Sequence, residues 1–254
     1  MLILLPPSET KRDGGDGPPL DLAVLAYPEL ADLRGRLVDR VVALASDPDP
    51  ALALRALKLS ARQVGEVERN RRLRSAGTMP AIDRYTGVLF DALDAAGLTE
   101  TSRAFAGSTV MVHSALFGLI GALDPIPAYR LSHDSRVPGD GLRSLWRMPL
   151  ATRLEARTGL ILDLRSEGYA ALGPAPARGG SVFVRIVAQG PDGRRRALGH
   201  FNKHAKGAFT RALLVDRPSL ETVDDLIAWA REAGFSLGLQ RTGRDAPAEL
   251  ELVA

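Results

Sequence analysis

The run SALFGLIGALDPIPAYRLSH, residues 114–133, decides how the middle of this chain is to be read. Two glycines stand three residues apart (Gly118, Gly121), two prolines stand two apart (Pro125, Pro127), and Tyr129-Arg130 follows. The preceding STVMV is β-branched and extended, and the chain is expected to become helical or turn-like at the glycines. Gly118 and Gly121 would then make the turn, and Asp124-Pro125 would start a second helix, with proline at its first position. Such a turn aims unpaired backbone N–H groups at one point, where a phosphate can sit with Arg130 in reach. This is the physics of a helix-hairpin-helix contact to nucleic acid. The alternative is a buried corner whose glycines only permit close packing, and GLIG is wider than the usual glycine spacing of that motif.

Working outward, MLILL at residues 1–5 reads as a buried strand stopped by Pro6-Pro7. Residues 12–20, RDGGDGPPL, form a loop beside Ser8, Thr10 and Lys11. Leu30, Leu33, Leu37, Val41 and Leu44 recur at helical spacing, so residues 28–45 form a helix with one buried face. Helices follow over 51–59 and 62–74; the latter has little apolar face, so its arginines meet solvent or an anion. PAIDRYTGVLFDALDAAGL reads as a short extended piece and a helix ended by Gly97. TRLEARTGLILDL gives a helix, a Gly159 cap and a strand over 160–164. VFVRIVAQ, GPDG and a polar return strand suggest a hairpin. Ser219 is the expected N-cap of a helix with Val223, Leu226, Ile227 and Ala230 on one face, ended by Gly234, and two strands, FSLGLQR and AELELV, finish the chain. Strands and helices do not alternate regularly, which argues against a doubly wound sheet and for one α+β domain over 1–254.

The 254 residues are 45% hydrophobic and 25% charged, an ordinary globular composition. With no cysteine, disulfides, thiolate metal sites and cysteine nucleophiles are excluded. No basic region precedes the first apolar run and no stretch approaches the roughly 20 apolar residues of a membrane span, so a cytoplasmic location and no membrane partner are expected. Net charge is only +3, but two segments are strongly basic. Residues 55–74 carry seven Lys/Arg against two Glu, and residues 185–211 carry seven against one Asp. One such run is ordinarily a solvated face; two in one domain point to an anionic partner.

No P-loop, dinucleotide fingerprint, HExxH or GxSxG is present, and nothing in the sequence asks for a cofactor. HFNKHAKGAFTR places Lys203, Lys206 and Arg211 around Gly207, a pattern suited to phosphate if helical. His200 and His204 lack the glutamate of a zinc motif, so no metal site is assigned. In LDLRSEGYAAL a buried strand ends in Arg165, Ser166, Glu167 and Tyr169, and polar groups past a strand's carboxyl end are where sites form in α/β folds.

Taken in order, MLILLPPSETK, DRYTGVLFDAL, SALFGLIGALDPIPAYRLS, LRSLW, LDLRSEGYAAL and FNKHAKGAFTRALL resemble the bacterial YaaA family of peroxide stress resistance proteins over residues 1 to about 235. The resemblance implies a compact single α+β domain with a mixed sheet, surrounding helices and a helix-hairpin-helix element beside a positively charged cleft. It also implies cytoplasmic proteins that bind double-stranded DNA and limit iron-dependent oxidative damage, with no established reaction. The chain departs from the family pattern in having Gly168 where an acidic residue precedes the tyrosine, Lys206 where an arginine stands, and a first-loop lysine displaced to Lys11.

Two functions follow as expectations. In the first, Lys11, Arg130, Lys203, Lys206 and Arg211, with Gly118 and Gly207 allowing close approach, bind double-stranded DNA or another phosphate-bearing ligand. In the second, Tyr85, Ser166, Tyr169 and Lys203 converge, with Lys206, in the same cleft as the catalytic groups of an enzyme for a small anionic or nucleobase-like substrate. A lysine is a good nucleophile or base only where burial or cationic neighbours lower its pKa. Direct iron binding is the weakest idea, since four histidines without cysteine make a poor ferrous site.

Overall fold

The computed structural model describes residues 1–189, 195–197, 201–240 and 248–253. Strand β1 (Leu2–Leu5) precedes helices α1 (Ala31–Ala45), α2 (Pro50–Ala56) and α3 (Val64–Arg71). Strand β2 (Met79–Pro80) leads to helices α4 (Ala81–Arg84), α5 (Val88–Leu93) and α6 (Glu100–Thr109). Strands β3 (Val110–Ser114), β4 (Gly118–Gly121) and β5 (Pro125–Ile126) are followed by α7 (Leu142–Glu155), β6 (Ile161–Asp163) and α8 (Glu167–Ala170). Strands β7 (Ser181–Gln189) and β8 (Arg195–Ala197), helices α9 (Phe201–Asp216) and α10 (Val223–Glu232), and strands β9 (Ser236–Gln240) and β10 (Ala248–Val253) complete the order.

The main sheet runs β4-β3-β1-β6-β7-β10-β9, with β8 paired to the far end of β7. The mixed sheet with surrounding helices expected from the sequence is present, and its centre is parallel: β3, β1, β6, β7 and β10 share one direction. Antiparallel β4 and β9 close the edges. All four residues of β1 are buried, as a parallel strand covered on both faces requires. Alternation is hidden in the sequence because the connection from β1 to β3 carries six helices. The chain leaves β1 toward β3 on one side, and leaves β6 toward β7 on the other. The loops after β1 and β6 therefore diverge, and a crevice opens at the carboxyl ends of these neighbours.

Residues 114–133 correct the expectation that opened the sequence reading. No helix flanks the glycines; Gly118–Gly121 is strand β4, paired with β3 in the register His113 to Leu119 and Met111 to Gly121. Ser114 Oγ accepts the amides of Leu116 (3.1 Å) and Phe117 (3.0 Å), closing the turn, and Gly118 enters β4 at φ +69. A Cβ there would also lie 2.9 Å from the Trp146 ring, so glycine is required twice over. Asp124-Pro125 starts strand β5 and no helix; the Asp124 carboxylate accepts the amides of Gly121 and Ala26. The edge carbonyls of β4 are covered by the wholly buried Arg34, which donates to Phe117 O (2.8 Å) and Leu119 O (3.0 Å).

Other boundaries shift for identifiable reasons. Thr222, not Ser219, caps α10, because its hydroxyl accepts the Asp225 amide while the Asp225 carboxylate accepts the Thr222 amide, a capping box. α5 ends at Leu93 with Asp94 in the left-handed region, ahead of Gly97. α7 begins at Leu142, ten residues before the TRLEAR segment. The two hairpin strands and the two final strands form as expected, while the GPDG turn and His200 lie outside the described residues.

Candidate functional site

The crevice between the β1 and β6 exits holds a cluster of buried polar side chains. The loop after β1 supplies Glu9 and Lys11, and Lys11 pairs in a single antiparallel bridge with Tyr85. Lys11 is only 5% exposed. Its Nζ donates to Ser8 O (2.8 Å) and Glu9 O (3.4 Å) and lies 4.1 Å from the centroid of the Tyr129 ring and 5.3 Å from that of Tyr85. Burial drives its pKa down to about 7, with the Glu9 charge opposing and the Arg130 charge assisting. The amine is thus poised between its two protonation states at neutral pH.

Above the lysine runs a chain of hydroxyls. Ser114 Oγ is 2.7 Å from Tyr129 Oη, which is 2.8 Å from Tyr85 Oη. Both lone pairs of Ser114 Oγ are taken by the amides of Leu116 and Phe117, so its proton goes to Tyr129. Tyr129 must then donate to Tyr85, and the Tyr85 proton is left to give. Burial raises the pKa of Tyr85, Tyr129 and Tyr169 above the usual phenol value, so all three remain protonated.

The mouth of the cluster is formed by Glu9 and Arg130, whose side chains are 37% and 15% exposed. Arg130 Nε stands 3.6 Å from Glu9 Oε2, a loose ion pair in which both buried atoms lack a hydrogen bond, while Arg130 Nη1 reaches Glu9 O at 3.5 Å. Tyr169 Oη reaches Glu9 Oε1 only at 3.4 Å. Arg130 is fixed through its backbone, since Asn70 of α3 accepts its amide and donates to its carbonyl, each at 2.7 Å. Unpaired buried polar atoms are costly, and a ligand's polar group would satisfy them.

Behind Tyr169 lies the exit of β6. Arg165, wholly buried, binds Asp163 through two bonds (Nε to Oδ1 2.8 Å, Nη2 to Oδ2 2.5 Å) and donates to His113 Nδ1 (2.8 Å) and Gly173 O (2.8 Å). A guanidinium can only donate, so His113 accepts at Nδ1 and carries its proton on Nε2, a buried atom without a partner. Burial and the Arg165 charge hold His113 well below its ordinary pKa, hence neutral. Its ring lies 5.8 Å from that of Tyr169, whose other neighbour is His133 at 5.0 Å. His133 occupies the space beside Gly168: a Cβ at 168 would overlap its imidazole nitrogen. Lys206 of α9 donates to Arg165 O (3.3 Å), and burial lowers its pKa to about 8.

The expected site residues therefore separate. Lys11, Tyr85, Arg130, Tyr169 and Lys206 belong to the buried cluster or its rear wall. Ser166 sits exposed at its edge, ahead of α8, with no side-chain cap bond. Lys203 is exposed on α9, one turn away from the buried Lys206. Arg211 serves the fold, donating to Leu93 O (3.0 Å) and Asp94 O (2.7 Å) at the end of α5. Gly207 lets α9 lie against α5, since a Cβ would overlap Leu89 O. Gly118 makes the β3–β4 turn. Glu9, His113, His133 and Ser114 join the cluster without having been assigned roles in the sequence.

The basic runs also look different once folded. Arg69 binds Asp13 and Glu66, Arg71 binds Glu68, Arg74 binds Asp39, and Arg185 binds Glu249 and Glu167. Much of the apparent surplus of charge is met within the chain. An open hollow of about 610 Å³ lies away from the cluster, between residues 20–23 and α1, while Glu9 and Arg130 are the partly exposed members of the cluster itself.

A family model described as peroxide stress protein YaaA matches residues 1–239, which takes in every element that builds this cluster. The chain belongs to this family. A UPF0246 protein of Corynebacterium glutamicum (strain R) is 41% identical over 240 residues, covering 92% of this chain and 94% of the relative. One from Corynebacterium efficiens is 42% identical over 242 residues (93% and 94%), and one from Streptomyces coelicolor 39% over 244 (93% and 92%). Membership supports a role in the peroxide stress response. Among the described residues, no helix is long and apolar enough to cross a membrane, and no group of three or more His, Cys, Asp or Glu is arranged to hold a metal ion.

Proposed function

We propose that this member of the family acts in the peroxide response through the cluster of buried polar side chains, as an enzyme that binds a small anionic or nucleobase-like molecule. One observation carries the reading: a buried lysine titrating near neutrality faces protonated tyrosines at the crevice where the loops after β1 and β6 diverge. Arg130 Nε, without a hydrogen bond, offers a donor for an anionic group, and Lys11 with Tyr85 supplies acid–base chemistry.

Double-stranded DNA binding and the curbing of iron-dependent damage are the finer expectations of the resemblance. What supports the DNA contact is the exposed Lys203 on α9 and the net positive charge. What weighs against a broad phosphate-binding face is the pairing of the Arg69, Arg71, Arg74 and Arg185 guanidinium groups with carboxylates. Thermal shift of the purified protein against nucleobases, nucleotides, phosphates and small carboxylates tests the choice, beside a gel-shift series with duplex DNA at increasing salt. The small-molecule reading expects a stabilising ligand whose effect is lost in Arg130→Ala. No stabilising ligand, together with salt-sensitive duplex retardation weakened by Lys203→Ala, would replace it with the DNA reading.

A further inference from the structure

Lys11 is held in a way that leaves one position of its nitrogen unused. A neutral amine has two N–H bonds and one lone pair; Ser8 O and Glu9 O take the protons, so the lone pair is what faces the cluster. The hydroxyl chain from Ser114 through Tyr129 ends at Tyr85, whose proton is unspent and whose ring lies 5.3 Å from the same nitrogen. Arg130 stands beside this cluster, its buried Nε without a hydrogen bond and 3.6 Å from Glu9 Oε2, a loose ion pair that an incoming anion would displace. Nucleophile, proton donor and anion anchor are three different side chains brought together from three separate segments of the chain.

We infer that Lys11 forms an imine with a carbonyl compound that also bears an anionic group, of the aldehyde-acid or 2-oxo-acid class, Arg130 holding the anion and Tyr85 carrying the proton. This rests on the small-molecule reading above. The Nζ lone pair attacks the carbonyl carbon, the C–N bond forms, and the C=O π pair moves to oxygen. Tyr85 gives that oxygen its proton and takes one from the nitrogen. The second N–H proton then passes through the same hydroxyl to the carbinolamine oxygen, the C–O bond breaks, water leaves and C=N forms. No net proton or electron is consumed. The charged and titratable groups around the nitrogen are Glu9 on its own loop, Glu66 and Arg69 on α3, Tyr85 after α4, and Tyr129 and Arg130 after β5. Their sum with burial leaves the free amine abundant at neutral pH.

The chain has four lysines, Lys11, Lys58, Lys203 and Lys206, which makes the test direct. Protein incubated with glyoxylate and cyanoborohydride, which reduces an imine to a stable amine, is mapped by peptide mass spectrometry over a pH series. The expected result is a label on Lys11 ahead of the exposed Lys58 and Lys203, with half-maximal rate near pH 7, where the buried amine loses its proton. Lys11→Arg should remove the label, Lys203→Arg should leave it, and Tyr85→Phe should slow it by about 100-fold. Label confined to Lys58, Lys203 or Lys206, or a Lys11 label with the alkaline profile of an ordinary amine, overturns the inference. Should Lys11→Arg fail to fold, the wild-type map and its pH profile still decide. Glycolate, which has no carbonyl, separates the two readings. If it stabilises the protein in an Arg130-dependent manner while glyoxylate leaves Lys11 unlabelled, the imine fails and the pocket stands; if neither acts, both fail.

Discussion

Replacing Lys11 by methionine should stabilise the protein, by an amount that depends on pH. In the unfolded chain this amine titrates at 10.5, and in the fold at about 7. Between those values the unfolded state binds the extra proton, so wild-type stability rises with pH across that window. Below about pH 7 both states are protonated and the folded protein bears the whole cost of a buried ammonium, about 5 kcal/mol from the gap between the two values. Methionine fills a similar volume without charge but forfeits the bonds to Ser8 O and Glu9 O, returning about 1–2 kcal/mol. The net gain is about 3 kcal/mol near pH 6 and under about 1 kcal/mol near pH 9. Urea unfolding of both proteins at the two pH values measures this, and the difference between them cancels the titration of Lys206 and every other shared group. A gap that does not change with pH would show that Lys11 keeps an ordinary pKa in the fold, and would remove the physical basis for assigning it chemistry. Stability gained together with loss of ligand response is the pattern of a functional residue held at a cost.

Ser114→Ala strips the acceptor from two buried amides and should cost about 2–3 kcal/mol in chemical denaturation, while changing ligand response through the released Tyr129. Asp163→Asn leaves the Arg165 guanidinium buried without a countercharge and should destabilise by about 3–5 kcal/mol, read as a fall in the urea midpoint. Gly207→Ala forces α9 away from α5 and should cost about 1–3 kcal/mol, whereas the exposed Lys203→Ala should stay within about 0.5 kcal/mol of wild type in the same assay.

How much of this could be read beforehand depends on where each feature gets its energy. β1 and the apolar face of α1 were legible because burial is periodic along the chain itself. Strand β4 was not, since GLIG has no strand pattern; it becomes one because Ser114 closes the turn, Trp146 fills the space beside Gly118, and Arg34 covers its edge from another element. The pairing of the basic runs was hidden for the same reason: Arg74 meets Asp39 and Arg69 meets Asp13, far apart in sequence. At the site, Tyr85, Arg130 and Tyr169 stood in conspicuous words. Glu9 and His133 had no local signal, and Lys11 read as a loop cation because its neighbours RDGGDG are polar. One signal was available and unused: His113-Ser114 ends the apolar run VMV, and polar residues at the carboxyl end of a buried strand have to find partners inside. Asn70 was a second, a polar side chain in the last turn of α3 one turn after the buried Val67 and itself wholly buried.

Gly168 and His133 have a consequence that reaches beyond this one chain. Because the imidazole fills the place a side chain at 168 would take, any side chain there has to turn the His133 ring away from Tyr169, so the two positions are coupled. In evolution they should behave as a single allele spread over two segments. A lineage that acquires an acid at 168 must also move or lose the ring at 133, and a variant library that randomises both positions together should recover linked pairs of residues.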